Sequence, residues 1–123
     1  DIETVTSAID EIKENNMILD IGPQTIELIK KELSSAKTVF WNGPAGVFEI
    51  PPFQVGTLEI AKYIADLSTK NLIKSFAGGG DTIAALEMAN VKHEFSYIST
   101  GGGALLELLE GRKLPGLKAL NIL

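Results

Sequence analysis

Apolar and polar positions along this chain alternate between two rhythms. Short β-branched or aromatic runs give way, again and again, to stretches whose apolar residues recur every three to four positions. Met17–Ile21 is a brief apolar run ahead of Gly22-Pro23, and Pro23 suits the first turn of a helix. Ile26, Ile29 and Leu33 follow at helical spacing, with Lys30, Lys31 and Glu32 between them, so a helix ending near Ser35 is predicted. Thr38–Trp41 reads as a strand. After the turn Asn42–Gly46, Pro51-Pro52 opens a second helix with Leu58, Ala61, Ile64 and Ala65 on one face. Leu72–Phe76 is the next strand, Gly78–Gly80 a turn, and Asp81–Ala89 a short helix. Glu94–Ser99 is a further strand and Gly101–Glu110 the last helix, with Gly111 at its C′ position and Pro115 blocking continuation. Asp1–Asn16 is polar and ambiguous, with room for a short strand near Thr4–Thr6.

Strands alternating with helices imply right-handed crossovers and a mostly parallel sheet, hence an α/β fold resembling half of a doubly wound domain. Ligands on such sheets sit at the carboxyl ends of the strands. The turns starting at Asn42, Gly78 and Thr100 all follow strands and are expected on that edge.

Two of these turns are glycine runs at helix starts, Phe76–Leu86 (FAGGGDTIAAL) and Ile98–Gly111 (ISTGGGALLELLEG). A helix start exposes backbone N–H groups without intrahelical partners, and the helix dipole adds partial positive charge. Glycine lets an anion approach that bare backbone, so the pair points to phosphate gripped at two places. In the first run Asp81 and Thr82 are both good N-caps. A capped helix after a tight turn and a phosphate site with Asp81 near a bound Mg²⁺ both fit. In the second, Ser99 or Thr100 can cap, and Leu105, Leu106, Leu108 and Leu109 form the apolar stripe. Glu107 and Glu110 flank it as solvated residues. The glycines at 101–103 permit close approach by a ligand or by another backbone. In Phe40–Glu49 (FWNGPAGVFE), Asn42-Gly43-Pro44 is a rigid turn whose apolar edge suits a flat ring. Glu49 could accept two hydrogen bonds from a ribose diol or could be an ordinary solvated loop residue.

Composition removes several alternatives. The 123 residues, 45% of them hydrophobic and 22% charged, suffice for one soluble globular domain. There is no cysteine, which excludes disulfides and thiolate chemistry, and His93 is the only histidine. It is expected at the surface. The net charge of −5 argues against a broad nucleic-acid surface but not against a phosphate held by backbone N–H groups. No apolar stretch reaches the ~20 residues that span a bilayer. The acidic N-terminal stretch has no signal-peptide pattern, and the cytoplasm is the expected compartment. The chain begins without methionine and is read as a piece of a larger protein. No GxxxxGK[ST] loop occurs. Lys70 and Lys74 lie at or before the wrong end of their strand, and Arg112, the only arginine, lies beyond the last helix. The cations that phosphoryl transfer requires would therefore come from outside this segment.

Together, FWNGPAGVFE, FAGGGDT and STGGGALLELLEGRKLPGLKAL resemble, in order and approximate spacing, the C-terminal portion of phosphoglycerate kinases, and Asp20–Pro23 (DIGP) fits the preceding segment. The similarity covers nearly the whole chain, least clearly Asp1–Asn16. It implies a partial Rossmann-like, three-layer αβα arrangement in which residues 1–123 belong to the C-terminal nucleotide-binding domain and 114–123 form a tail returning toward an N-terminal lobe. It implies reversible phosphoryl transfer between 1,3-bisphosphoglycerate and ADP, giving 3-phosphoglycerate and ATP in glycolysis, with Mg²⁺ as cofactor. Asn42 would face the nucleotide phosphates, Pro44 would border the adenine and Glu49 would hold the ribose hydroxyls. Gly79, Gly80, Asp81 and Thr82 would line the phosphate site, with Asp81 serving the metal. Gly101, Gly102 and Gly103 would present N–H groups to the phosphoryl group in transit. The parent would be a monomer binding neither nucleic acid nor membrane. The basic substrate-binding lobe of the family is absent from this sequence, so the segment alone is expected to be inactive. The other readings are a nucleotide- or phosphate-binding module without chemistry, and an α/β fragment whose glycines serve packing alone.

Overall fold

The alternation of apolar runs and amphipathic stretches is realised as one helix followed by a βαβαβ unit, in a computed structural model that describes residues 4–14 and 16–99. Helix α1 spans Pro23–Ser35, strand β1 Thr38–Trp41, helix α2 Val55–Thr69, strand β2 Lys74–Gly78, helix α3 Gly80–Met88 and strand β3 Tyr97–Ser99. The strands lie in the order β1-β2-β3 and all pair in parallel, with Phe40 opposite Phe76 and Phe76 opposite Tyr97. The expected α/β fold with a parallel sheet is therefore present. The last helix, 101–110, and the tail lie outside the described residues.

Period-two alternation sends the strand side chains to two different environments. Val39 and Ala77 join Ile60, Ala61, Ile64 and Ala65 of α2 and Leu86 of α3 in one core, with Trp41 and Ile98 packed against it. Phe40, Phe76 and Tyr97 alternate to the other face. There they form a row with ring centroids 5.0 and 6.0 Å apart. Among the described residues the helices thus cover one face of the sheet, and Phe40 and Tyr97 remain 39% and 46% exposed. Lys30 of α1 reaches Glu59 of α2 at 3.2 Å and lies over the Tyr63 ring.

Element boundaries depart from the sequence expectation where the backbone finds partners that periodicity does not reveal. The helices α2 and α3 both end with an asparagine in the left-handed region, Asn71 and Asn90, each at φ 58°. The amide of Leu72 then donates to Leu67 O, and that of Val91 to Leu86 O, each at the distance of a normal hydrogen bond. These are the Schellman closures usually made with glycine. They consume Leu72, so β2 begins at Lys74 rather than Leu72. Its carboxyl end runs on through Gly78, which pairs with Ser99.

The strand expected from Glu94 begins only at Tyr97, because Lys92–Glu94 forms a 3-10 turn. Ser75 N donates to Ser96 Oγ and Ser96 N to Ser75 Oγ, both at 3.0 Å, in place of ladder bonds. Likewise Pro51-Pro52 opens a 3-10 turn, Pro51–Phe53, and α2 starts afresh at Val55. Residues 4–8 are exposed and carry no strand; a 3-10 turn over Ile9–Glu11 follows.

Leu86 is fully buried and Leu28 is 65% exposed. Leu86→Ala should lower the unfolding free energy by about 2–5 kcal/mol, and Leu28→Ala by no more than about 0.5 kcal/mol. Urea denaturation followed by far-UV circular dichroism would read both.

Candidate functional site

Two of the three expected turns are described, and both leave the carboxyl edge of the sheet. After β2 the chain turns at Gly79, whose φ of +96° is a conformation that side chains disfavour. Gly79 is also the N-cap of α3, and among the described residues no side chain caps that helix. Asp81 and Thr82 therefore do not serve as the expected caps. The glycine run sets the start of α3 upstream of them and places both inside its first turn. Asp81 is exposed there. At Gly80 the backbone lies outside the positive-φ region, and a Cβ would meet nothing within 4 Å among the described residues. Neither backbone conformation nor packing among those residues demands glycine at 80.

After β1 the chain enters the loop 42–50, which is held from several directions. Gly43 N donates to Thr82 Oγ1 at 2.6 Å, and Trp41 Nε1 donates to Gly43 O. Thr82 is 1% exposed. Its hydroxyl thus ties the loop after β1 to the first turn of α3 and keeps its own proton to donate. A Cβ on Gly79 would stand 2.9 Å from Asn42 Oδ1, so the Asn42 side chain lies against the turn after β2. Farther along, Ala45 N donates to Thr57 Oγ1 at 3.0 Å, and Val47 N to Leu19 O at 2.9 Å. Phe48 and Phe53 are buried and pin the far end, while Glu49 between them in sequence is exposed.

Asp20 anchors the base of this loop. One carboxylate oxygen accepts Ile21 N at 2.8 Å and the other accepts Gly56 N at 3.0 Å. Gly56 N is one of the unpartnered amides opening α2, whose own N-cap Gln54 makes no side-chain bond. A residue 36 positions away thus caps this helix. The carboxylate leaves no room beside it: a Cβ on Gly46 or on Gly56 would lie 2.6 Å from Asp20 Oδ1.

Of the residues singled out in the sequence, the structure brings Asn42, Gly79 and Thr82 together, with Gly80 and Asp81 on the same first turn. Pro44, half-buried, and Glu49 sit on the adjoining loop. Gly101, Gly102 and Gly103 lie outside the described residues. His93 is exposed, as expected. Thr57, fully buried, and Asp20 were not singled out as site residues. For Asp20 the one signal was its place in the Asp20–Pro23 motif; Thr57 carried none, because its partner lies 12 residues away. Two grooves lie elsewhere, one of about 490 Å³ at the amino end of the sheet beside Lys37, Lys74 and Ser96, the other apolar between α1 and β1.

The family model for phosphoglycerate kinase matches residues 1–112. A phosphoglycerate kinase of Xanthobacter flavus is 51% identical over 94% of this chain, and one of Chlorobium phaeobacteroides 53% identical over 98%. The chain spans 29% and 30% of the lengths of these two relatives. The solved structure of phosphoglycerate kinase from Coxiella burnetii superposes with a TM-score of 0.84 at 44% identity, covering 98% of this chain and 30% of that one. That from Pyrococcus horikoshii gives 0.68 at 42% identity, covering 86% of this chain and 25% of that one.

Thr82→Val removes the acceptor of the Gly43 amide and should cost about 0.5–1.5 kcal/mol of stability. Glu49→Ala, at an exposed position, should change it by under about 0.5 kcal/mol. Paired urea titrations of the two variants check the contrast.

Proposed function

The chain belongs to the phosphoglycerate kinase family, and we propose that it supplies part of the Mg-nucleotide site of a phosphotransferase. That enzyme moves a phosphoryl group between 1,3-bisphosphoglycerate and ADP, giving 3-phosphoglycerate and ATP. The observation that carries this reading is the uncapped start of α3, with glycine at a position where neither conformation nor neighbouring atoms among the described residues require it. An anionic ligand can reach those N–H groups, and the dipole of α3 favours its charge.

Around that start each residue has a distinct task. Gly79 and Gly80 offer backbone to the phosphates, and Thr82 fixes the turn relative to Asn42, which faces the same phosphates. Pro44 borders the adenine, and Glu49, exposed on the loop, accepts from the ribose hydroxyls. The same reading gives Gly101, Gly102 and Gly103, outside the described residues, the phosphoryl group in transit. Among the described residues no three acidic or histidine side chains gather into a metal cage. Asp81 alone fits Mg²⁺, which usually takes one or two carboxylates together with water and substrate phosphates. When bound, the ion neutralises charge on the phosphate oxygens.

Lys37 immediately precedes β1 and Lys74 opens β2, so both sit at the edge opposite this site. Neither lysine thus serves the transferring group, and the reading assigns its cations, with the phosphoglycerate site, to the remainder of a longer protein. This favours nucleotide binding without turnover for the chain by itself. A monomeric cytoplasmic enzyme engaging neither nucleic acid nor membrane fits the net charge of −5. Among the described residues no helix is long and apolar enough to cross a membrane.

The 123-residue chain should show no ADP- and bisphosphoglycerate-dependent turnover in a coupled assay. Asp81→Ala should cost under about 1 kcal/mol in stability, since Asp81 caps nothing. It should nevertheless abolish the Mg²⁺-dependent part of ADP affinity in calorimetry. Equal ADP affinity with and without Asp81 would remove the metal role.

A further inference from the structure

We infer that Asp20 and Thr57 are positioning residues for the nucleotide loop: touching no ligand, they hold residues 42–47 in the binding-competent shape. This rests on the nucleotide reading above. The loop contains Gly43 at φ +108° and a second glycine at 46, so its backbone has wide freedom to lose. Few bonds of its own restrain it; its amides at 43, 45 and 47 donate instead to Thr82, Thr57 and Leu19, all outside the loop. Thr57 and Asp20 belong to one device. Asp20 caps the amide of Gly56, and the next residue along α2, Thr57, takes the amide of Ala45. The carboxylate thus fixes the start of α2, and the start of α2 fixes the loop.

Neither side chain is placed to meet a ligand. Thr57 is fully buried, and both Asp20 oxygens are engaged by backbone amides. Asp20 also closes the start of α2 to anions, because a carboxylate already occupies it, while α3 starts without a side-chain cap. Of the starts of α2 and α3, phosphate is thereby directed to that of α3. A loop ordered during folding does not have to be ordered by the ligand, so the effect of the pair appears as affinity.

The test compares Thr57→Val, Thr57→Ser, Asp20→Asn and the core variant Ile64→Val in the full 123-residue chain. Mg-ADP affinity is read by calorimetry, and amide hydrogen exchange at residues 43–47 is read without ligand. Thr57→Val should speed exchange at Ala45 and weaken Mg-ADP by about five- to tenfold, the equivalent of one lost hydrogen bond. Asp20→Asn should do the same at 45–47, since an amide nitrogen would then face a backbone donor. Thr57→Ser keeps the acceptor and should restore both readouts. Ile64→Val should lower stability and leave both unchanged.

Faster exchange with undiminished affinity would overturn the proposal, as would an equal loss of affinity in Ile64→Val. Should the unsubstituted chain give no Mg-ADP heat while still showing exchange that depends on Thr57, the nucleotide reading fails for this chain and the loop restraint stands. Exchange indifferent to Thr57 and Asp20 refutes the restraint itself.

Discussion

A carboxylate placed where a helix begins organises this molecule. Asp20 lies in an irregular segment before α1, yet it satisfies an amide at the start of α2 that has no partner of its own. An uncompensated helix start leaves several donors open, and a carboxylate there gains from both hydrogen bonding and the dipole. That contact adds to the crowding that keeps side chains from 46 and 56 and fixes the α2 start from which Thr57 holds the loop after β1, while Thr82 joins the same loop to α3. The sheet supplies the edge, and these polar contacts decide what shape the edge takes.

The two helix starts behind that edge are treated in opposite ways. That of α2 is closed by Asp20, and that of α3 is left without a side-chain cap. Their backbone chemistry is the same, so the difference lies in what the surrounding side chains occupy. The proposed anion site uses both treatments: the start of α3 left to the ligand, and that of α2 satisfied internally so that the intervening loop stays in place.

Much of the fold was legible because it rests on periodicity. Ile26, Ile29 and Leu33 marked α1 with Pro23 at its start, and Thr38–Trp41 marked β1 to the residue. Boundaries failed where local backbone chemistry intervened. Asn71 and Asn90 ended helices in a conformation that composition does not announce, and the Ser75–Ser96 exchange delayed β3. Within the site, glycine runs and their order were readable, since the need for bare backbone leaves a compositional mark. Thr57 left none. Its importance arises from a partner 12 residues away, as that of Asp20 arises from one 36 residues away, and spacing rules that reach one helical turn do not extend so far.

The crowding around Asp20 has a consequence for how such a sequence can drift. Positions 20, 46 and 56 are far apart along the chain but share one small volume, which a carboxylate fills and two missing methyl groups leave vacant. A side chain gained at either glycine would strike the carboxylate, and a smaller residue at 20 would leave the α2 start without its partner. The backbone oxygens of Leu19 and Phe53 also crowd position 46, and the Ile21 side chain crowds position 56, so losing the carboxylate frees neither glycine and all three sites are held as they are. In a lineage of such chains, joint constancy at 20, 46 and 56 would record the volume around Asp20 in the sequences themselves.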